Sequence, residues 1–84
     1  MGLTDNSTPM DKLERAIVIV RADDWAGIYV EGRLGQEGHS FSDAELIRVG
    51  QENPTLDIIS KECDYEWAHD LGNFPADLRE VRFQ

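Results

Sequence analysis

The sequence has 84 residues, a formal net charge of −9 at pH 7 and a pI near 4.4. This length excludes a two-domain enzyme, while 40% apolar residues are enough for a modest core. The charge disfavours direct binding to nucleic acid or to an anionic membrane, because both would repel the chain. We therefore expect that any partner selected by charge is a basic protein.

The compartment is predicted from cysteine usage and hydropathy. Cys63 is the single cysteine and cannot form an internal disulfide, which is unlike small secreted domains. The longest uncharged apolar run, residues 16–20, is far too short to span a bilayer, and the sequence has no signal-peptide pattern. These features predict a cytoplasmic protein.

The first half of the chain predicts a flexible tail followed by strands. Residues 1–11 are polar and turn-rich, whereas residues 16–20 are apolar with four consecutive β-branched side chains, which favours a central strand buried on both faces. A second strand follows Trp25. Glu31 and Gly32 then occupy a two-residue hairpin turn that would place Tyr29 opposite Leu34, although a three-residue loop with a bulge also fits.

The second half predicts a helix, a strand and a second helix. Ser42 and Glu45 form a capping-box pattern that begins a helix ending near Gly50, with a buried stripe of Leu46, Ile47 and Gly50. Residues 55–60 are typical of a fourth strand. Asp64 caps a short helix that carries Trp67, Ala68 and Leu71 on one face and stops at Gly72.

Together these elements predict one α+β domain over residues 12–84. We expect a three- to four-stranded antiparallel sheet that starts with a ββ-hairpin and has two helices packed on one face. Leu78, Val81 and Phe83 would dock on the core from the C-terminal segment.

The chain shows no recognisable catalytic constellation. Cys63, His39 and His69 could pair as nucleophile and base or bind a metal ion, but their spacing matches no established pattern for either role. Asp23 and Asp24 resemble a paired-carboxylate site or a cation clamp, but adjacent carboxylates on an extended segment point to opposite sides and seldom share one proton or one metal. The favoured interpretation is that the pair ends the first strand and starts a turn. We therefore predict no enzyme activity, no catalytic residue, no cofactor and no metal.

Surface charge and exposed rings supply the candidate protein-binding residues. Acidic side chains follow one another between Lys61 and Arg79 without a Lys or Arg between them, and aromatic residues separate them. Carboxylates spaced in this way present charge much as phosphates do, so the chain could act as a nucleic-acid mimic toward a basic partner. The competing interpretation is that the charges only solubilise the protein. The candidate residues are Trp25, Tyr29, Glu62, Asp64, Glu66 and Asp70.

A block of residues also resembles a group of small acidic proteins of phages and bacteria that have no assigned activity. The resemblance covers most of the chain from about residue 16 and rests on Asp24, Trp25, Gly27, Ile28, Tyr29, Val30, Gly32, Leu34, Glu37, Gly38 and His39, with Trp67, Leu71, Gly72, Phe74, Pro75 and Leu78. It implies no catalytic residue. The phage context that it implies is typical of short acidic inhibitors of host proteins.

The leading prediction is a non-enzymatic acidic protein-interaction module, in the manner of a phage modulator or inhibitor of a host protein with a basic surface. One alternative is a small ligand- or metal-binding module that uses His39, Cys63 and His69. Another is a homo-oligomeric structural protein that forms through an exposed edge strand, with the third strand as the first candidate.

Overall fold

A computed structural model describes residues 9–83, which form a four-stranded sheet flanked by helices. The strands are β1 (Ile17–Arg21), β2 (Ala26–Val30), β3 (Arg33–Gly38) and β4 (Ile58–Glu62). The helices are α1 (Met10–Leu13), α2 (Asp43–Glu52) and α3 (Tyr65–Leu71), and Leu78–Glu80 forms a 3-10 turn. Within residues 9–83 no helix has the length and apolar character that crossing a membrane requires. Of the predicted tail, residues 1–8 lie outside the described residues, and residues 10 and 11 belong to α1.

The predicted α+β class is confirmed, with β1 inside the sheet. The strand order is β3-β2-β1-β4, and the side chains of Ile17 to Val20 are buried on both faces of the sheet. Four consecutive β-branched residues favour this position, because they fit the pleated backbone and need an apolar environment on each side. β3 is an edge strand as predicted, and β4 forms the other edge.

The expectation of an antiparallel sheet is wrong for one pair of strands. β1 pairs antiparallel with β2, and β2 with β3, but β4 runs parallel to β1, so the sheet is mixed. The cause is the connection: α2 carries the chain back along the sheet after β3, so β4 starts at the same end as β1. β4 also covers residues 58–62 rather than 55–60.

The helices pack on both faces of the sheet, not on one. Ile17, Ile19 and Ile28 form a buried cluster with Val49 of α2. Val18, Val20 and Tyr29 face the opposite side, where α1, α3 and the C-terminal segment supply the remaining partners: Met10, Leu13, Trp67, Ala68, Phe74, Leu78, Val81 and Phe83. A central strand that is apolar on both faces requires such a cover on each side.

The hairpin between β2 and β3 follows the prediction. Glu31 (φ 50°) and Gly32 (φ 87°) both have positive φ, so the turn has two residues, and Tyr29 pairs with Leu34. Consecutive positive φ values match the right-handed twist of the flanking strands. The register shifts once, between Ile28 and Tyr29, where Gly35 is the extra residue of β3.

Helix α2 begins as predicted, but a different side chain anchors it. Ser42 and Glu45 form the capping box, with both side-chain-to-backbone hydrogen bonds present. Val49 is the buried residue of the helix, whereas Ile47 is 58% exposed. Leu46 and Val49, at positions i and i+3, face the sheet together. The buried face of the helix is therefore displaced by about one residue from the predicted stripe. The helix ends at Glu52 rather than near Gly50.

Helix α3 and the C-terminal segment complete the other face. The Asp64 carboxylate accepts a hydrogen bond from the Trp67 N–H (3.0 Å), and Gly72 ends the helix with φ 85°. Trp67 and Ala68 pack on the core as predicted, but Leu71 is exposed. The C-terminal segment then crosses this face, pairing Asp77 with Arg33 and Phe83 with Cys63. The predicted docking of Leu78, Val81 and Phe83 is confirmed.

Gly27 in β2 leaves room for the Phe74 ring. A Cβ atom on Gly27 would lie 2.5 Å from Cδ2 of Phe74 and 3.2 Å from Cδ1 of Leu34. Both neighbours are packed in the core, so neither can move away without loss of contacts. Gly27 is therefore required for the position of Phe74.

We predict that Gly27→Ala lowers the free energy of unfolding by about 1–3 kcal/mol, the usual cost of inserting a methyl group into a filled site. Urea denaturation measures the change. The matched control is Gly38→Ala, because a Cβ on Gly38 meets nothing within 4 Å. Equal stability of the two variants would contradict this account of Gly27.

Candidate functional site

An open groove of about 800 Å³ lies between the β1–β2 turn and α3. Its volume is within the usual range of ligand-binding clefts. We call it the acidic groove. Its lining residues are Ala22, Asp23, Asp24, Trp25, Tyr65, Glu66, Ala68, His69, Asp70, Gly72 and Phe74. This set contains four carboxylates and three aromatic rings, and none of these described lining residues is a Lys or Arg.

The parallel pairing of β1 and β4 creates this groove. Arg21 at the end of β1 lies beside Glu62 at the end of β4, so the chain leaves both strands at the same edge of the sheet. The β1–β2 turn follows one strand, and α3 follows the other after Cys63 and Asp64. The carboxyl ends of adjacent parallel strands are a common place for ligand clefts, because the segments that follow them diverge there.

The β1–β2 turn brings two carboxylates to the groove. The Ala22 N–H donates to the Trp25 carbonyl (2.7 Å), which closes a tight turn around Asp23 and Asp24. Both aspartates are exposed and both line the acidic groove. The predicted turn is therefore present. The two carboxylates lie on a turn and not on an extended strand, and both border the same groove.

Glu37 of β3 fixes the aromatic wall. Its Oε1 accepts hydrogen bonds from the Trp25 indole Nε1–H (2.9 Å) and from the Phe74 backbone N–H (3.0 Å). The His39 ring packs edge-on against Trp25, with centroids 4.9 Å apart. One carboxylate thus connects β3, the residue before β2 and the segment after α3. Trp25 is held in one orientation at the groove.

Helix α3 supplies the opposite wall. Glu66, His69 and Asp70 are exposed on the helix and line the groove, together with the Tyr65 ring, which is 39% exposed. Removal of the Tyr65 hydroxyl from water raises its pKa, and the Glu62 and Asp23 carboxylates raise it further. Tyr65, Asp23 and Glu62 also line a smaller groove beside this one.

Three of the six predicted binding residues come together in the acidic groove, namely Trp25, Glu66 and Asp70. Glu62 lines a second, smaller groove of about 310 Å³, which shares Asp23, Trp25 and Tyr65 with the first. Asp64 lines neither of these two grooves, and its carboxylate caps α3 instead.

Tyr29 is not an exposed contact residue. Its side chain is 0% exposed, and its hydroxyl donates to the Pro75 carbonyl (2.5 Å). It faces the core because its partner Val18 lies on the face covered by α3 and the C-terminal segment. The expectation of an exposed ring on a flat hairpin fails, because the sequence pattern did not reveal that this face of β2 is covered.

The histidines and the cysteine are not assembled into one site. His69 lines the acidic groove, His39 lines the second groove, and Cys63 is buried in the core. Burial raises the pKa of the Cys63 thiol, so the reactive thiolate is disfavoured. Across residues 9–83, no three His, Cys, Asp or Glu side chains form a group that could hold a metal ion.

Sequence reasoning favoured a turn over a cation clamp at Asp23 and Asp24, and it missed Tyr65 as a groove residue. It also missed Glu37 as the acceptor that supports Trp25 and Phe74. The two aspartates were recognisable as a turn, and a signal for their role was the tryptophan directly after them. Glu37 gave no local signal, since its hydrogen-bond partners lie 12 and 37 residues away. Comparison with protein-family models, with curated proteins and with solved structures gives no match to this chain. The resemblance to small acidic phage and bacterial proteins stays a prediction.

We predict that Glu37→Ala lowers the free energy of unfolding by about 1–3 kcal/mol, because the Phe74 N–H and the Trp25 indole N–H lose their shared acceptor. Glu37→Gln is the matched control: its amide oxygen can accept both hydrogen bonds, so we expect stability close to that of the wild type. Thermal or urea denaturation followed by tryptophan fluorescence checks both. A glutamine variant as unstable as the alanine variant would contradict the double-acceptor role.

We predict that alkaline pH destabilises the fold through Tyr29. Its burial raises the pKa above the usual value of 10.0, so folding favours the neutral phenol and stability falls as pH rises beyond that value. Tyr29→Phe has no phenol to ionise at this position. Its free energy of unfolding should therefore fall less steeply with pH, by up to about 1.4 kcal/mol per pH unit. Urea denaturation of both proteins at pH 8 and pH 11 tests it. An equal loss of stability in the two proteins between these pH values would contradict this role of Tyr29.

Proposed function

We propose that this protein is a non-enzymatic, cytoplasmic interaction module that binds a basic protein partner through the acidic groove. The observation that carries the proposal is the composition of the groove, with four carboxylates beside three aromatic rings and no cationic residue among its described lining. Such a surface attracts cations over several ångströms and offers rings for contact once they arrive. Phage-type modulation of a host protein is the biological setting that we propose.

The charge of the whole chain supports the proposal. A net charge of −9 on a protein of this size steers basic partners toward it and repels acidic ones. Among residues 9–83, Glu66 and Asp70 are exposed on α3 and form no ion pair, in contrast to Glu14, which accepts two hydrogen bonds from Arg79. Carboxylates of this kind are available to a partner at little cost in folding stability.

A binding role fits the chemistry of the chain better than catalysis does. Cys63 is buried among apolar side chains, and the raised pKa of its thiol opposes a nucleophilic role. The lone cysteine also supports a reducing compartment.

The test is affinity capture from nuclease-treated lysate with wild-type protein and two charge-reversal variants. Glu66→Lys with Asp70→Lys places two cations in the acidic groove. Asp43→Lys with Glu52→Lys makes the same change in net charge on α2, which lies across the sheet. We expect one stoichiometric basic partner that the α2 variant retains and the groove variant loses, by at least about tenfold, as removal of close interfacial charge pairs predicts.

The outcome is decisive in either direction. Capture that weakens at high salt and depends on the groove residues supports the proposal, because screening acts on exposed charges. Equal loss in both variants would mean that net charge alone attracts the partner, and the groove would have no specific role. Capture of an acidic partner, or none with any variant, would contradict the proposal.

A further inference from the structure

The acidic groove combines two features that are separable in an experiment. The carboxylates of Asp23, Asp24, Glu66 and Asp70 attract any cation, whether lysine or arginine. The aromatic rings respond to the shape of the cation, because a planar guanidinium stacks on a ring and a compact ammonium does not. The arrangement of the rings therefore decides which basic side chain the groove takes.

The Trp25 ring is fixed in place before any partner arrives. The hydrogen bond from its indole N–H to Glu37 (2.9 Å) and the edge contact with His39 (4.9 Å between centroids) prevent it from rotating freely. A fixed ring loses little conformational entropy on binding, so more of the contact energy remains for affinity. Arg21, at the carboxyl end of β1, donates to Ser60 (3.0 Å) and lines the second groove, not this one. Arg82 lies on the other side of α3, where it lines a separate open groove of about 380 Å³ with Glu66 and Asp70.

The Tyr65 ring stands on the other wall among carboxylates. The ring borders both grooves, Asp23 lines both of them as well, and Glu62 lines the second one. A guanidinium against this ring would lie in a groove that four carboxylates also line. Arginine presents five N–H donors in one plane and can bond two carboxylates while its face contacts a ring. Lysine has no planar group and contacts a ring only as a point charge.

On these grounds we infer that the acidic groove is selective for arginine over lysine, and that the partner segment it takes is an extended, arginine-bearing peptide whose guanidinium packs against Tyr65 and Trp25. This inference rests on the proposed function and specifies the chemistry of the partner. The groove volume of about 800 Å³ is large enough for several side chains of such a segment.

The experiment compares three capped peptides of equal length, in which glycine alternates with arginine, lysine or citrulline. Citrulline keeps the planar end of arginine but carries no charge. Binding is measured by isothermal titration calorimetry at low ionic strength. We expect the arginine peptide to bind about threefold more tightly than the lysine peptide, because the guanidinium adds stacking to the point-charge contact that lysine also makes. The citrulline peptide should bind weakest.

Two variants separate the ring from the charge. Tyr65→Leu removes the ring and should bring the arginine and lysine peptides to equal affinity, whereas Tyr65→Phe keeps the ring and should preserve the preference. Glu66→Gln with Asp70→Asn should weaken both basic peptides, while Asp43→Asn with Glu52→Gln should leave them unchanged. Circular dichroism confirms that each variant is folded.

The peptides and variants distinguish failure of the arginine selectivity from failure of the proposed function. Equal affinity for the arginine and lysine peptides on the wild type, with loss of both in the groove double variant, would overturn arginine selectivity and leave the proposed function intact. A preference for arginine that survives Tyr65→Leu would also overturn the inference. If neither basic peptide binds more tightly than the citrulline peptide, the proposed function itself fails.

Discussion

The parallel pairing of β1 and β4 is the constraint on which the candidate site depends. Because both strands end at the same edge of the sheet, the β1–β2 turn and α3 begin side by side, and the space between them is the acidic groove. An antiparallel β4 would place α3 at the opposite end of the sheet, and Asp23 would then lie far from Asp70. The direction of one edge strand therefore determines whether the carboxylates meet.

A second layer of interactions holds the walls of the groove in position. Gly27 lets the Phe74 ring lie against β2, and Glu37 bonds both the Phe74 backbone and the Trp25 indole. Leu78 and Val81 then anchor the C-terminal segment across the same face. These contacts involve residues far apart in the sequence, so the groove forms only when the whole face is assembled. Phe74, Trp25 and Ala68 therefore belong both to the groove and to the core cluster of this face.

Local signals in the sequence predicted the local structure well. The capping box at Ser42, the Asp64 cap, the stop at Gly72 and the turn at Glu31 and Gly32 are all present, because each depends on residues within a few positions of one another. The buried β1 followed from its run of β-branched residues. The predictions that failed concern contacts between distant parts of the chain: the direction of β4, the second covered face and the burial of Tyr29. No periodicity within one element reports which other element covers it.

The sequence also predicted only part of the candidate site. Trp25, Glu66 and Asp70 were selected for charge and aromatic character, and they do meet in one groove. Of their neighbours, Asp23 and Asp24 were interpreted as a turn and Tyr65 was missed, because only the fold brings them to that place. Glu62 and Asp64 were selected for charge alone. The Asp64 carboxylate caps the N-terminus of α3, where a carboxylate is favoured for structural reasons.

The proposed function requires that a cation binds between the β1–β2 turn and α3. The most direct measurement is a nitrogen-15 NMR titration of the labelled protein with the arginine peptide, in which the two indole signals, from Trp25 and Trp67, serve as internal reporters. Trp25 lines the groove and Trp67 does not. We expect saturable shifts of the Trp25 indole and of the backbone amides of Asp23, Asp24 and Tyr65, larger than the shift of the Trp67 indole, which lines the other side of α3. Shifts centred on α2, or no saturable shift at Trp25, would contradict it.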